Sequence, residues 1–134
     1  MPSLPYRRIL LGGLLASLLL ATTALAGGTT KVTMREFTLS ASPKSVTAGK
    51  VTFSVKNSGD DEHALTVIRT TKAASKLPQS SGRASETGRV GKVEDIAAGR
   101  TKRLTVSLKK GHYVLICNIP GHYAGGMRAD FTVR

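Results

Sequence analysis

The sequence is short of cysteine, histidine and acid. Its 134 residues include one cysteine, Cys117, three histidines, and eight Asp and Glu against twenty Lys and Arg. A lone cysteine excludes an internal disulfide, and a free thiol in an oxidising compartment is a liability unless something occupies it. Three histidines in a chain long enough for one domain cannot furnish two metal centres. The scarcity of acid leaves a formal net charge of +12, which points to an acidic partner surface. No stretch after Ala26 keeps a helical period and no internal repeat is visible, so helical bundles and solenoids are excluded.

The first stretch of the chain stands apart from the rest. Arg7 and Arg8 precede an apolar run from Ile9 to Ala21, and Ala24-Leu25-Ala26 closes it. A positive start, a short apolar core and an A-x-A ending are the marks of a secretory signal peptide over residues 1–26, with cleavage expected after Ala26. The run is short for a membrane span, and an uncleaved anchor is the alternative. No cysteine lies near the cleavage site, which argues against a lipid-anchored terminus. Arg7-Arg8 would also fit a twin-arginine signal in place of the general secretory one. The mature domain is expected to be 27–134, exported to a periplasm or an equivalent space. It would carry a net charge of +10, Arg7 and Arg8 being removed from +12.

The remainder alternates apolar and polar residues in short runs, the signal of half-buried strands. The first run is Lys31 to Leu39. Val32 and Met34 share one parity and Phe37 and Leu39 the other, so a bulge is expected near Glu36. Further runs are Val51-Phe53-Val55, Leu65-Val67, Leu104-Val106-Leu108, Tyr113-Leu115-Cys117 and Phe131-Val133. Turn signals at Ala48-Gly49, Asn57 to Asp60, Ala98-Gly99 and Lys109 to Gly111 separate them. Many short strands with such turns predict an all-β sandwich. Thr70 to Lys92, rich in Ser, Gly, Lys, Arg and Ala, reads as a long exposed loop insertion with a weak helical turn at Lys72 to Leu77.

Cys117, His122 and Met127 lie five residues apart in one short segment near the C-terminus. A thiolate, an imidazole and a thioether are three parts of a mononuclear copper site, and a trigonal His2Cys set with a weak axial Met is the blue-copper arrangement. The fourth part is a second imidazole. Successive strand residues face opposite ways, so Cys117 continues the inward row of Tyr113 and Leu115. His63 begins the inward row of Leu65 and Val67, and Met127 precedes that of Phe131 and Val133. Ends of three inward rows can meet at one pole of a sandwich. His112 has the opposite parity to Cys117 and reads as a surface residue, which leaves His63. Pro120-Gly121 and Gly125-Gly126 would stiffen and shape the loop.

The segment Tyr113-x-Leu115-x-Cys117-x-x-Pro120-Gly121-His122-x4-Met127 resembles the cupredoxins, the small type 1 copper proteins, and its spacing is most similar to the azurin and auracyanin end of that family. Asn57-Ser58-Gly59-x3-His63-x-Leu65 is similar to the family's first-ligand segment. The resemblance covers Lys31 to Arg134. It implies a Greek-key β-sandwich (cupredoxin-like) and one type 1 copper held by His63, Cys117, His122 and, weakly, Met127. Many members place Asn directly after the first histidine to tie the ligand loops together. Here Ala64 stands there, which leaves the tether and the reduction potential open.

The function this implies is one-electron transport by an exported blue copper protein that is not an enzyme, reads as a monomer, and meets an acidic redox partner transiently. Electrons would pass at the imidazole edge of His122, within an exposed patch of Ile119, Pro120, Tyr123, Ala124 and Gly125. In the cuprous state His122 is the ligand expected to protonate and leave. Export argues against a nucleic-acid partner, while an anionic membrane surface would also suit the charge. The alternative function is a carrier or buffer that delivers copper. It would call for surplus Met or His ligands, and the mature chain has only Met34 and His112 left over.

Overall fold

The computed structural model describes residues 1–3 and 26–134, so the expected signal peptide lies almost wholly outside the described residues. The domain is built of β1 (Ala26–Arg35), β2 (Thr38–Ser42), β3 (Ser45–Val46), β4 (Gly49–Asn57), β5 (His63–Arg69), β6 (Gln79–Ser80), β7 (Arg83–Ala84), β8 (Arg89–Ile96), β9 (Thr101–Leu108), β10 (Gly111–Ile116), a one-turn helix α1 (His122–Gly125) and β11 (Arg128–Val133).

The larger strands form two sheets. One has the order β2-β1-β4-β9 and the other β3-β11-β10-β5-β8. The chain passes between them after β2, β3, β4, β8 and β9, and it pairs β1 with β4 and β3 with β11 in parallel. The main core lies between the sheets. Val32, Met34, Val51, Phe53 and Val55 of the first sheet meet Leu65, Val67, Tyr113, Leu115 and Phe131 of the second. The alternation read from the sequence is thus the inward row of each strand. The all-β sandwich is as expected.

Two segments differ from expectation. Lys31 to Leu39 is not one strand with a bulge. The chain reverses at Glu36-Phe37, and Arg35 pairs with Thr38, Met34 with Leu39, and Val32 with Ala41. The change of parity arises because a two-residue turn sends the chain back along itself, so the inward row resumes at Leu39.

Thr70 to Lys92 is not an exposed loop. It forms a 3-10 turn over Ala74–Lys76 and the β6–β7 hairpin, and its last residues open β8. Ala74, Leu77 and Ala84 are buried against Ile68, Val114, Ile116 and Tyr123 on the outer face of the second sheet. This segment is a flap over that face. It explains why β5 is buried at six successive positions, His63 to Ile68, a pattern expected when both faces of a strand are covered.

Candidate metal centre

Three segments converge at one pole of the sandwich: the β1–β2 turn, the segment 57–63 that leads into β5, and the segment from Cys117 to Met127. The 57–63 segment is shaped by Asn57, whose fully buried amide donates to the carbonyls of Asp61 (2.7 Å) and Ile96 (2.8 Å) and accepts from the Gly59 N–H (2.9 Å). His63 follows as the first residue of β5 and is completely buried.

After β10 the chain turns into α1 and back into β11. The Cys117 N–H donates to the Met127 carbonyl (3.0 Å), and the Met127 N–H to the His122 carbonyl (3.0 Å). Those bonds close a compact loop that carries Cys117, His122 and Met127 together. Gly126 ends α1 at φ 127°, where any Cβ would also lie 2.7 Å from the Phe37 carbonyl. Only glycine meets both conditions.

The ring nitrogens of His63 and His122 and the sulfur of Cys117 all lie within 4.8 Å of one another. Both imidazoles present Nδ1 to the sulfur, His63 at 3.8 Å and His122 at 3.6 Å. A single first-row metal ion, bonded at about 2.0 Å to nitrogen and about 2.3 Å to sulfur in a trigonal set, would hold each N···S pair roughly 3.7 Å apart. The donors therefore already stand at the spacing of ligands on one ion. Met127, fully buried in the main core, supplies a thioether to the same loop. Two imidazoles, a thiolate and a thioether make the His2Cys-Met set that suits copper. His112 is elsewhere: Nδ1 contacts the Thr70 carbonyl and Nε2 the Asp130 carboxylate.

The sequence profile of the copper binding proteins of the plastocyanin/azurin family matches residues 27–134. The chain belongs to that family. No curated protein matches it. Among solved structures it is similar to auracyanin from Roseiflexus castenholzii, with 20% identity, a TM-score of 0.59, and coverage of 81% of this chain and 98% of that one. It is similar to auracyanin A from Chloroflexus aurantiacus, described as a "blue" copper protein, with 18% identity, a TM-score of 0.59, and coverage of 81% and 100%. Rusticyanin from Thiobacillus ferrooxidans matches with 17% identity, a TM-score of 0.61, and coverage of 81% and 79%. These likenesses bear on the fold. The family membership and the donor set together make this a copper protein of the cupredoxin type.

Electrostatics at the cupredoxin site follow from burial and backbone dipoles. Burial pushes the Cys117 thiol up, and N–H groups of Ala64 and Ile119, with the Lys92 charge, oppose it. The Ala64 N–H lies 3.5 Å from the sulfur. Desolvation holds His122 below the ordinary imidazole value, and His63 adds to that, while Asp61 and Glu36 oppose it. A neutral imidazole is the form that binds metal.

Four features of the site are not readable from the ligand motif. First, Glu36, from the β1–β2 turn, brings Oε1 to 2.8 Å from His63 Nε2. The oxygen lies off the line of a ring N–H, so Nε2 has proximity to a carboxylate but no aligned hydrogen bond.

Second, Phe37, 48% exposed, stands edge-on to the His122 ring with centroids 5.5 Å apart and planes at 87°. It replaces Tyr123 in the expected apolar patch. Tyr123 is 1% exposed and turned to the flap, where its hydroxyl donates to the Ala74 carbonyl and accepts from the Leu77 N–H.

Third, the Cys117 sulfur faces backbone N–H groups from two separate segments, Ala64 on β5 and Ile119 on the ligand loop.

Fourth, the tether absent at Ala64 has a counterpart at Asn118. Its buried amide pairs with both backbone groups of Ala84, accepting at 2.8 Å and donating at 2.9 Å. The Gly121 N–H donates to the Gly82 carbonyl at 2.8 Å. The flap thereby braces the ligand loop.

Proposed function

We propose that this chain is an exported one-electron carrier. When bound, copper supplies a Cu(II)/Cu(I) couple. The observation that carries the reading is the trio of His63 and His122 ring nitrogens and Cys117 Sγ, gathered within 4.8 Å of one another. A donor set held by packing and hydrogen bonds changes little between oxidation states, which favours electron exchange over metal release. His63 and Cys117 are sealed in the core, and the Asn118–Ala84 pairing keeps the Cys117 loop in place.

His122 alone reaches the surface. Its edge lies beside the exposed Phe37, Pro120 and Ala124, an apolar rim suited to a brief encounter in which little polar surface must be desolvated. The excess of base over acid would steer an acidic partner protein toward the molecule, with rates that fall as salt screens the attraction. Arg7-Arg8, the apolar run and Ala24-Leu25-Ala26 support export through a signal peptide, and a periplasm is the compartment we assign.

Copper delivery is the competing function, and one experiment separates the two. The copper-loaded protein is cycled between oxidised and reduced forms in the presence of a Cu(I) chelator, while electron self-exchange is followed by NMR line broadening. A carrier exchanges electrons rapidly and keeps its copper through many cycles. Surrender of the metal on the first reduction, faster than self-exchange, would establish delivery instead.

A further inference from the structure

The outer face of the sheet β2-β1-β4-β9 is made of cations and small hydroxyls. Cross-strand pairing places Lys31 opposite Ser54, Ser54 opposite Arg103, Thr33 opposite Lys56, Lys50 opposite Ser107 and Arg35 opposite Thr38. Directly paired residues share a face, so Lys31, Arg35, Lys50, Lys56 and Arg103 all point outward from one sheet. All five are exposed. Every other outward position, from Thr29 to Arg35 in β1 and throughout β2, β4 and β9, is serine or threonine. No carboxylate and no apolar side chain lies on this face.

Ion pairs among the described residues form elsewhere and engage none of the five cations. Five like charges on one small sheet repel one another, an arrangement that counter-charge from outside would relieve. The face runs about 20 Å from Lys50 to Lys56 and is four strands, or roughly 14 Å, across.

We propose that this face seats the protein on an anionic lipid bilayer. Its chemistry selects that partner over an acidic protein. Protein interfaces centre on aromatic and apolar anchors and are depleted of lysine, and this face has lysines and no anchor. Cations set among small hydroxyls suit rows of phosphate oxygens, and a flat sheet with nothing to insert suits a headgroup surface approached by charge alone. The β1–β2 turn with Glu36 and Phe37 projects from one end of the sheet. The copper pole then lies at the rim of the contact, where His122 stays open to a partner sliding over the same membrane. The seating rests on the cation face and holds whether or not the copper reading does.

The test is sedimentation of residues 27–134, which contain both hydrophobic clusters and the whole family match. It uses phosphatidylcholine vesicles with and without one part in four of phosphatidylglycerol. The protein should bind only the anionic vesicles and leave them in high salt. Lys31→Gln/Lys56→Gln/Arg103→Gln should lower partitioning roughly a hundredfold, at about fivefold per charge. Lys72→Gln/Lys76→Gln/Arg83→Gln removes as much charge from the flap side and should bind nearly as wild type does. Far-UV circular dichroism confirms that each variant is folded. Equal losses in the two variants would mean that net charge, and not this face, drives the contact. Absence of binding at low salt would overturn the lipid partner and favour an acidic protein.

Discussion

Glu36 Oε1 stands 2.8 Å from His63 Nε2, and the same carboxylate accepts the N–H groups of Asp61 (2.9 Å) and Asp60 (3.1 Å). One side chain from the β1–β2 turn thus gathers the 57–63 segment and faces the far nitrogen of a buried ligand. When Nδ1 is the metal donor, the proton of a neutral imidazole sits on Nε2, toward Glu36. A negative charge that close favours the proton on Nε2 and thereby raises the basicity of Nδ1, even without an aligned hydrogen bond. The close approach depends on Gly59, where a Cβ would collide with the carboxylate.

Glu36→Gln is expected to weaken copper binding by roughly 10-fold to 100-fold, the range for loss of a carboxylate behind a ligating histidine. Competition titration against a chelator reads this directly. Unchanged affinity would mean that the approach of the two groups is incidental.

Glu36 also sets an acid limit on stability. Backbone N–H groups, its own first and then those of Asp61 and Asp60, hold its carboxyl at about 2, below the ordinary value of 4.5, and His63 contributes least. A pKa depressed on folding gives stability that is present above the unfolded value and is lost as pH falls through the folded one. Melting temperature of the copper-free protein should therefore drop between about pH 4.5 and pH 2, and Glu36→Gln should flatten that part of the profile. A variant with the wild-type slope would assign the acid loss to other carboxylates.

Asn118→Ala unties the ligand loop from the flap. It leaves the buried N–H and carbonyl of Ala84 without partners, at a cost of about 2–4 kcal/mol. Denaturant unfolding should show that loss, and the copper spectrum should broaden as the loop loosens. A stability change near zero would show that the flap is held by its apolar contacts alone.

Met127 should tune the potential without deciding whether copper binds. A thioether favours Cu(I) relative to an oxygen donor. Met127→Gln is expected to lower the potential and Met127→Leu to raise it. A tenfold change in the relative affinity for the two oxidation states appears as about 59 mV. Voltammetry gives the sign, and shifts in the opposite order would remove Met127 from the ligand set.

Much of this was legible in the sequence because it is local. Inward rows along single strands gave the core, and the parity of His63, Cys117 and Met127 gave three row ends that meet at one pole. What was not legible depends on chain reversal and on contacts distant in sequence. The parity break at Glu36 was visible, but strand periodicity does not separate a bulge from a two-residue turn. That choice decides whether Glu36 and Phe37 reach His63 and His122. The flap was hidden for a different reason. Its anchors are Ala74, Leu77 and Ala84, two of them alanines in a segment dominated by Ser, Gly, Lys and Arg, so they leave almost no hydrophobic signal. Its partner Tyr123 sits beside a ligand and reads as part of the surface patch until the flap is in place.

The chemistry of this site turns on Cys117 binding copper as a thiolate within the His63–His122 trio. Its most direct test is the visible absorption spectrum of residues 27–134 loaded with Cu(II), before and after ascorbate, alongside Cys117→Ser. An intense blue band is expected that bleaches on reduction, returns on reoxidation, and is absent from Cys117→Ser. A colourless protein, or pale copper binding that persists in Cys117→Ser, would contradict it.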